Sequence, residues 1–160
     1  MKRIIVHWTA GTNKASLEDE QHYHYIIQGD GSIMLGAHTL KDNDNVADGK
    51  YAAHTRGCNK DSIGVSLCGM YGATESPFKK GRYPINERQW RVMLWLVKRL
   101  AKEHNIPITP QTILTHAEVE GTLKIKQAGK WDITRLPWDS SVIGATAVGN
   151  LMRKSIKEIK

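Results

Sequence analysis

Ser62-Ile63-Gly64-Val65-Ser66-Leu67-Cys68 is an unbroken run of small and apolar residues, without a charge or a proline. A strand of that length that does not alternate with polar residues belongs in the middle of a sheet. Upstream, Arg3-Ile4-Ile5-Val6-His7-Trp8 is β-branched and stops at Thr9-Ala10-Gly11-Thr12, so it reads as a second buried strand ending on His7-Trp8. Residues 13–21 are polar with room for a brief helix. Tyr23-His24-Tyr25-Ile26-Ile27-Gln28 then reads as a strand, turned by Gly29-Asp30-Gly31 into another at residues 32–35, because Asp-Gly supplies the positive φ of a tight hairpin. Downstream, residues 112–115 read as the strand that delivers His116.

Residues 86–104 carry the clearest helical period, with Trp90, Met93, Leu94, Val97, Leu100 and Ala101 on one face, Asn86 as cap and Asn105-Ile106-Pro107 as stop. A last amphipathic helix is expected to begin near residues 139–141 and run toward Ile159, carrying Val142, Ile143, Val148, Leu151, Met152 and Ile156. Packing on the sheet is its main reading and lying on a membrane the other. Residues 37–59, which include His38 and His54, and residues 69–84 show no period and read as long loops.

A chain of 160 residues, 40% hydrophobic and 24% charged, fits one globular domain over residues 1–160 with no separate binding module. The opening Met1-Lys2-Arg3 runs straight into a short strand, without the apolar stretch of a secretory signal, so synthesis in the cytoplasm is expected. No transmembrane segment is expected, and the chain reads as a monomer. The net charge of +7 suits a polyanionic partner, whether nucleic acid, anionic lipid or a carboxylate-rich wall, and equally suits a merely soluble basic surface. Cys58 and Cys68 do not form a disulfide framework or a C-x-x-C pair; buried free thiols are the expectation and a single bridge the alternative.

The seven histidines are a surplus, and none forms the H-E-x-x-H pair of a helix-borne zinc protease. Any metal ligands must come from separate segments. IIVHWTAG around His7, ILTHAEV around His116 and GKWD ending on Asp132 can together offer two imidazoles and a carboxylate to one Zn²⁺. Three protein ligands and an open fourth position is how catalytic zinc is held, which points to a hydrolase. A lone histidine at a strand end is more often a satisfied half-buried residue. Its pairing with Lys130-Trp131-Asp132, where Lys130 and Asp132 are two apart on an extended segment and so face one way, raises the metal reading.

The ordered motifs HWTAG, YHYIIQGDGSI, AAHTRGCNKDSIGVSLCG, LTHAEV and KWD, over roughly residues 3–138, resemble the zinc-dependent N-acetylmuramoyl-L-alanine amidases, the family of amidase-type phage lysozymes and peptidoglycan recognition proteins. The resemblance implies an α/β fold, a single domain with a central mixed β-sheet flanked by α-helices and a zinc groove across one face. It implies His7, His116 and Asp132 as metal ligands, with Ile133-Thr134 where Pro-Gly often follows the third. Lys130 falls on the lysine two before that ligand. Tyr23 falls on the tyrosine of the phage-type branch, and Ser66 stands where other branches carry a glutamate. His54, Arg56 and Asn59 become candidates for substrate contact, Arg56 because a guanidinium suits a stem-peptide carboxylate. His22, His24 and His38 are left as structural or surface residues.

The function implied is hydrolysis of the amide between N-acetylmuramic acid and the L-alanine of the stem peptide, with Zn²⁺ as cofactor and peptidoglycan, a muramoyl peptide, as substrate. A phage or prophage endolysin that reaches the wall after release is the first expectation and a wall-recycling enzyme the second. The same fold hosts non-catalytic wall receptors, which lose a zinc ligand, whereas all three candidates are present here. A basic nucleic-acid-binding protein is the remaining class; no helix-turn-helix, zinc-finger spacing or aromatic RNA-binding strand supports it, so no nucleic acid is expected.

Overall fold

The computed structural model describes all residues 1–160. Five strands, β1 (Arg3–Trp8), β2 (Tyr25–Ile27), β3 (Ile33–Leu35), β4 (Ser62–Leu67) and β5 (Ile113–Thr115), form one mixed sheet in the order β3-β2-β4-β1-β5. The pairs β2–β4, β4–β1 and β1–β5 are parallel, and β3 joins β2 antiparallel as the hairpin the Asp-Gly turn implied. β4 is buried at every residue, which is why its sequence shows no polar alternation.

Side chains on a strand alternate between faces, and in β1 that alternation separates core from site. Ile4, Val6 and Trp8 join Ile63, Val65 and Leu67 in the main core, against α2 (Glu87–Glu103) and α4 (Ala145–Glu158). Burying side chains such as Met93, Val97 and Leu100 of α2 contributes about 1.5–3 kcal/mol each. Ile5 and His7 point the other way, in register with Gly64 and Ser66 of β4. On that face Ile5, Cys58, Leu114 and Val119 make only a small cluster beneath α3 (His116–Leu123), which leaves room for a groove.

Polar contacts fix the helices to the sheet. The Asn86 side chain caps α2 by accepting from the Gln89 amide at 3.0 Å, and the fully buried Gln89 donates to the carbonyls of Ile27 and Cys68 at the ends of β2 and β4. A buried bidentate ion pair, Arg153 to Glu118 at 2.8 and 3.0 Å, ties α4 to α3. Gly149 faces it, and a Cβ there would overlap the Glu118 carboxylate.

The structure corrects three expectations. Residues 139–143 are a strand, β7 (Asp139–Ile143), paired with β6 (Arg135–Leu136), and not the start of the last helix. Gly144, at φ 101°, adopts a backbone conformation few other residues tolerate and separates β7 from α4. Residues 116–123, not read as an element, form α3. Tyr23 and His24 lie outside β2, with Tyr23 as the C-cap of α1 (Leu17–His22). α4 packs its Val148, Met152 and Ile156 into the core, and both cysteines are free and buried. No helix is long and apolar enough to cross a membrane.

Candidate metal centre

β1 and β5 run parallel with Val6 opposite Thr115, so His7 and His116 are the next residues out on adjacent strands, at their C-terminal ends. Open α/β sheets place their ligands there. His116 is also the first residue of α3, whose N-cap is Thr115 and whose Glu118 accepts from the Thr115 amide at 2.9 Å. Asp132 arrives from a separate loop, held because its carbonyl accepts from the Ala117 amide at 2.6 Å and because the following Ile133 is fully buried. Trp131 packs edge-on against Trp8, ring centroids 4.7 Å apart, and clamps that loop to the end of β1.

These three residues converge on one point. His7 Nδ1 and His116 Nδ1 are 3.0 Å apart, and Asp132 Oδ2 lies 3.1 Å from the first and 3.2 Å from the second. Ligands of a tetrahedral zinc at 2.0–2.1 Å stand about 3.3 Å from one another, so the triangle has the required size. Two nitrogens and one carboxylate oxygen also suit zinc better than magnesium or calcium. The donor set therefore fits the metal that the resemblance implies.

Electrostatics agree with a neutral imidazole beside a charged carboxylate. Burial pulls the His7 pKa down to about 4 against the pull of Asp132. At His116 burial also lowers the pKa, but the close contact and charge of Asp132 and the Gln127 contact outweigh it, and the net direction is up. Burial would raise Asp132, yet its close contacts with the His116 and His7 rings and their charge hold its carboxyl at about 2. Lys130, which lines the same groove, also lowers both histidines through its charge.

Two corners of the triangle, His116 and Asp132, line a groove of about 1110 Å³ together with Tyr23, His54, Arg56, Asn59, Lys130 and Trp131, while His7 is buried. The Tyr23 ring stands 5.2 Å from that of His7. Burial and the Asp132 charge push its phenol well above the usual value, with Ser66 pulling the other way, so Tyr23 stays protonated throughout the neutral range. The Ser66 hydroxyl is buried beside it without a well-formed hydrogen bond. Arg56 is exposed on the rim.

His54 and Asn59 line the groove but direct their polar atoms inward. His54 Nδ1 meets His7 Nε2 at 3.2 Å and Thr55 Oγ1 at 2.8 Å, while Asn59 Oδ1 accepts from the amides of His54 and Thr55 at 2.9 and 2.8 Å. The His54 ring lies flat on β4 where Gly64 leaves space, since a Cβ at Gly64 would be 2.6 Å from His54 Cγ. Two residues that sequence reasoning missed complete the surroundings. Gln127 Oε1 meets His116 Nε2 at 2.7 Å, and the fully buried Asn43 bonds His24, Ala52 and Asn59 to brace the loop of residues 37–59. Neither sits in a periodic pattern that could have flagged it. His22, on the groove wall, contacts the Ala53 carbonyl and His38 faces Asp42; neither joins the triangle.

Residues 1–134 match the family described as N-acetylmuramoyl-L-alanine amidase. No curated protein is matched by sequence. Among solved structures, a point mutant of PlyL is similar with a TM-score of 0.54 and 19% identity, over 99% of this chain and 85% of that one. An endolysin of a Thermus scotoductus bacteriophage gives 0.52 and 17%, over 96% and 82%. The amidase AmiD from E. coli, in complex with the substrate anhydro-N-acetylmuramic acid-L-Ala-D-gamma-Glu-L-Lys, gives 0.51 and 21%, over 73% and 48%. These structures share the mixed sheet flanked by helices. With the family match spanning residues 1–134, the chain belongs to the N-acetylmuramoyl-L-alanine amidase family and is a peptidoglycan amidase.

Proposed function

We propose that the chain is a zinc-dependent endolysin of phage or prophage type, cleaving the amide between N-acetylmuramic acid and the L-alanine of the stem peptide. The donor triangle of His7 Nδ1, His116 Nδ1 and Asp132 Oδ2 in the groove is the observation that carries this reading. Zinc held there supplies Lewis acidity, lowering the pKa of water and polarising an amide carbonyl.

The chain's own groups cover what else amide hydrolysis demands. An amide is a poor electrophile, so its carbonyl oxygen needs a positive partner as charge develops and its nitrogen needs a proton to leave. Lys130, exposed in the groove, offers an ammonium for the oxygen. Tyr23, kept protonated by burial beside His7, can donate a hydrogen bond or pass a proton within the groove. Arg56 on the rim offers a bidentate partner to a stem-peptide carboxylate.

The test is digestion of purified sacculi with and without a chelator, with products identified by mass spectrometry. Stem peptides beginning with L-alanine, lost with chelator and restored by Zn²⁺, are expected. Binding to sacculi without cleavage would replace the enzyme reading by a receptor.

A further inference from the structure

His7 and His116 each turn Nδ1 toward the donor triangle, and a metal there would need that nitrogen bare, with the ring proton on Nε2, although the Asp132 carboxylate, an acceptor only, pulls the proton toward Nδ1. The partner of Nε2 decides this. For His116 it is Gln127 Oε1 at 2.7 Å. The Gln127 amide is oriented, because its nitrogen donates to the Arg56 carbonyl at 2.8 Å and lies 3.4 Å from the Ile125 carbonyl, which leaves its oxygen facing the ring. For His7 the partner is His54 Nδ1 at 3.2 Å. His54 Nε2 lies 3.2 Å from the Ser62 carbonyl, which can only accept, so the His54 proton sits on Nε2 and Nδ1 is left as an acceptor.

The geometry points to His54 and Gln127 as positioning residues that hold the ring protons of His7 and His116 on Nε2 against the pull of Asp132, so that both nitrogens facing the triangle are bare before a metal arrives. This rests on the metal reading above and deepens it. Each ring is held at the nitrogen remote from the triangle, one through Ser62 and His54 and the other through the Gln127 amide. Loss of such an outer partner costs metal sites roughly 10–100-fold in affinity.

Gln127 also joins the Arg56 and Ile125 carbonyls, so a purely bracing role must be told apart. Gln127→Glu keeps an acceptor for His116 Nε2 and loses the amide donor; Gln127→Met loses both. His54→Asn can place an amide oxygen where Nδ1 stands, whereas His54→Phe keeps only the ring's bulk. Zinc affinity would be read by competition with a chromogenic chelator, and the tautomers of the metal-free proteins by ¹⁵N NMR of the imidazoles.

We expect Nε2-protonated His7 and His116 in the metal-free parent, near-parental affinity in Gln127→Glu and His54→Asn, and a fall of roughly 10–100-fold in Gln127→Met and His54→Phe. Equal losses in Gln127→Glu and Gln127→Met would assign Gln127 to bracing alone and overturn its part. Nδ1-protonated His7 or His116 in the metal-free parent would overturn the inference whatever the metal does. A parent that takes up no zinc yet shows the expected tautomers would instead overturn the metal reading.

Discussion

His7 Nδ1 and His116 Nδ1 stand 3.0 Å apart across 109 residues of chain, with the Asp132 carboxylate 3.1 and 3.2 Å from them. Three acceptor atoms at that spacing are mutually repulsive unless a cation lies among them. Asp132→Ala is therefore expected to abolish uptake of one zinc per chain while leaving the fold in place. Calorimetric titration of the metal-free protein checks this, and unchanged affinity would remove Asp132 from the donor set.

Lys130 is exposed in the groove, and its charge acts on both histidines without joining the triangle. Lys130→Ala should bind zinc as the parent does and lose roughly 10²–10³ in turnover, the usual cost of removing an oxyanion partner. Near-parental turnover on sacculi would exclude it from the mechanism.

Tyr23 is expected to act through its hydroxyl. Tyr23→Phe should keep the packing against His7 and cut turnover with zinc affinity unchanged, and adding Ser66→Glu should not restore it. Recovery in the double variant, measured by release of stem peptide, would show the two positions to be interchangeable.

His24 is buried and neutral, with Nε2 on Asn43 Oδ1 at 2.9 Å and Nδ1 accepting from the Gly64 amide at 3.0 Å. Burial lowers its pKa from 6.5 to about 4, against the pull of Asn43. The unfolded chain thus takes up a proton near pH 6.5 that the folded chain refuses until about pH 4. Its contribution to stability is complete above pH 6.5, falls as pH drops toward 4 and is constant below, for a total of roughly 3 kcal/mol. Urea unfolding from pH 7 to 4, parent against His24→Gln, should show a shallower pH dependence in the variant.

Arg153 and Glu118 are each other's main charged partner inside the protein. Arg153→Met should destabilise by about 3–5 kcal/mol, because it leaves a buried carboxylate unpaired, and adding Glu118→Gln should recover much of that. Equal unfolding midpoints for the parent and Arg153→Met would show that the pair carries no stability.

The strands and the three residues that converge are legible because each is local: His7 and His116 close apolar strands, and Asp132 ends a short distinctive motif. α3 is not, since HAEVEGTL has a glycine in its last turn and little amphipathic period, and it is held by its cap and by Arg153 from a distant helix. β7 reads as part of the last helix because Val142 and Ile143 continue the apolar spacing of α4, and only the backbone of Gly144 marks the break. Gln127, Asn43 and the inward turn of His54 are defined by partners far along the chain, which no local pattern encodes.

Two of the three donor residues are each covalently joined to an indole: Trp8 follows His7 and Trp131 precedes Asp132, and the two rings meet edge-on at 81°. A backbone shift that changes how far His7 stands from Asp132 alters the angle or separation of those chromophores. The protein thus carries a built-in optical gauge of this cluster, readable as exciton coupling in circular dichroism or as tryptophan emission, with no label attached.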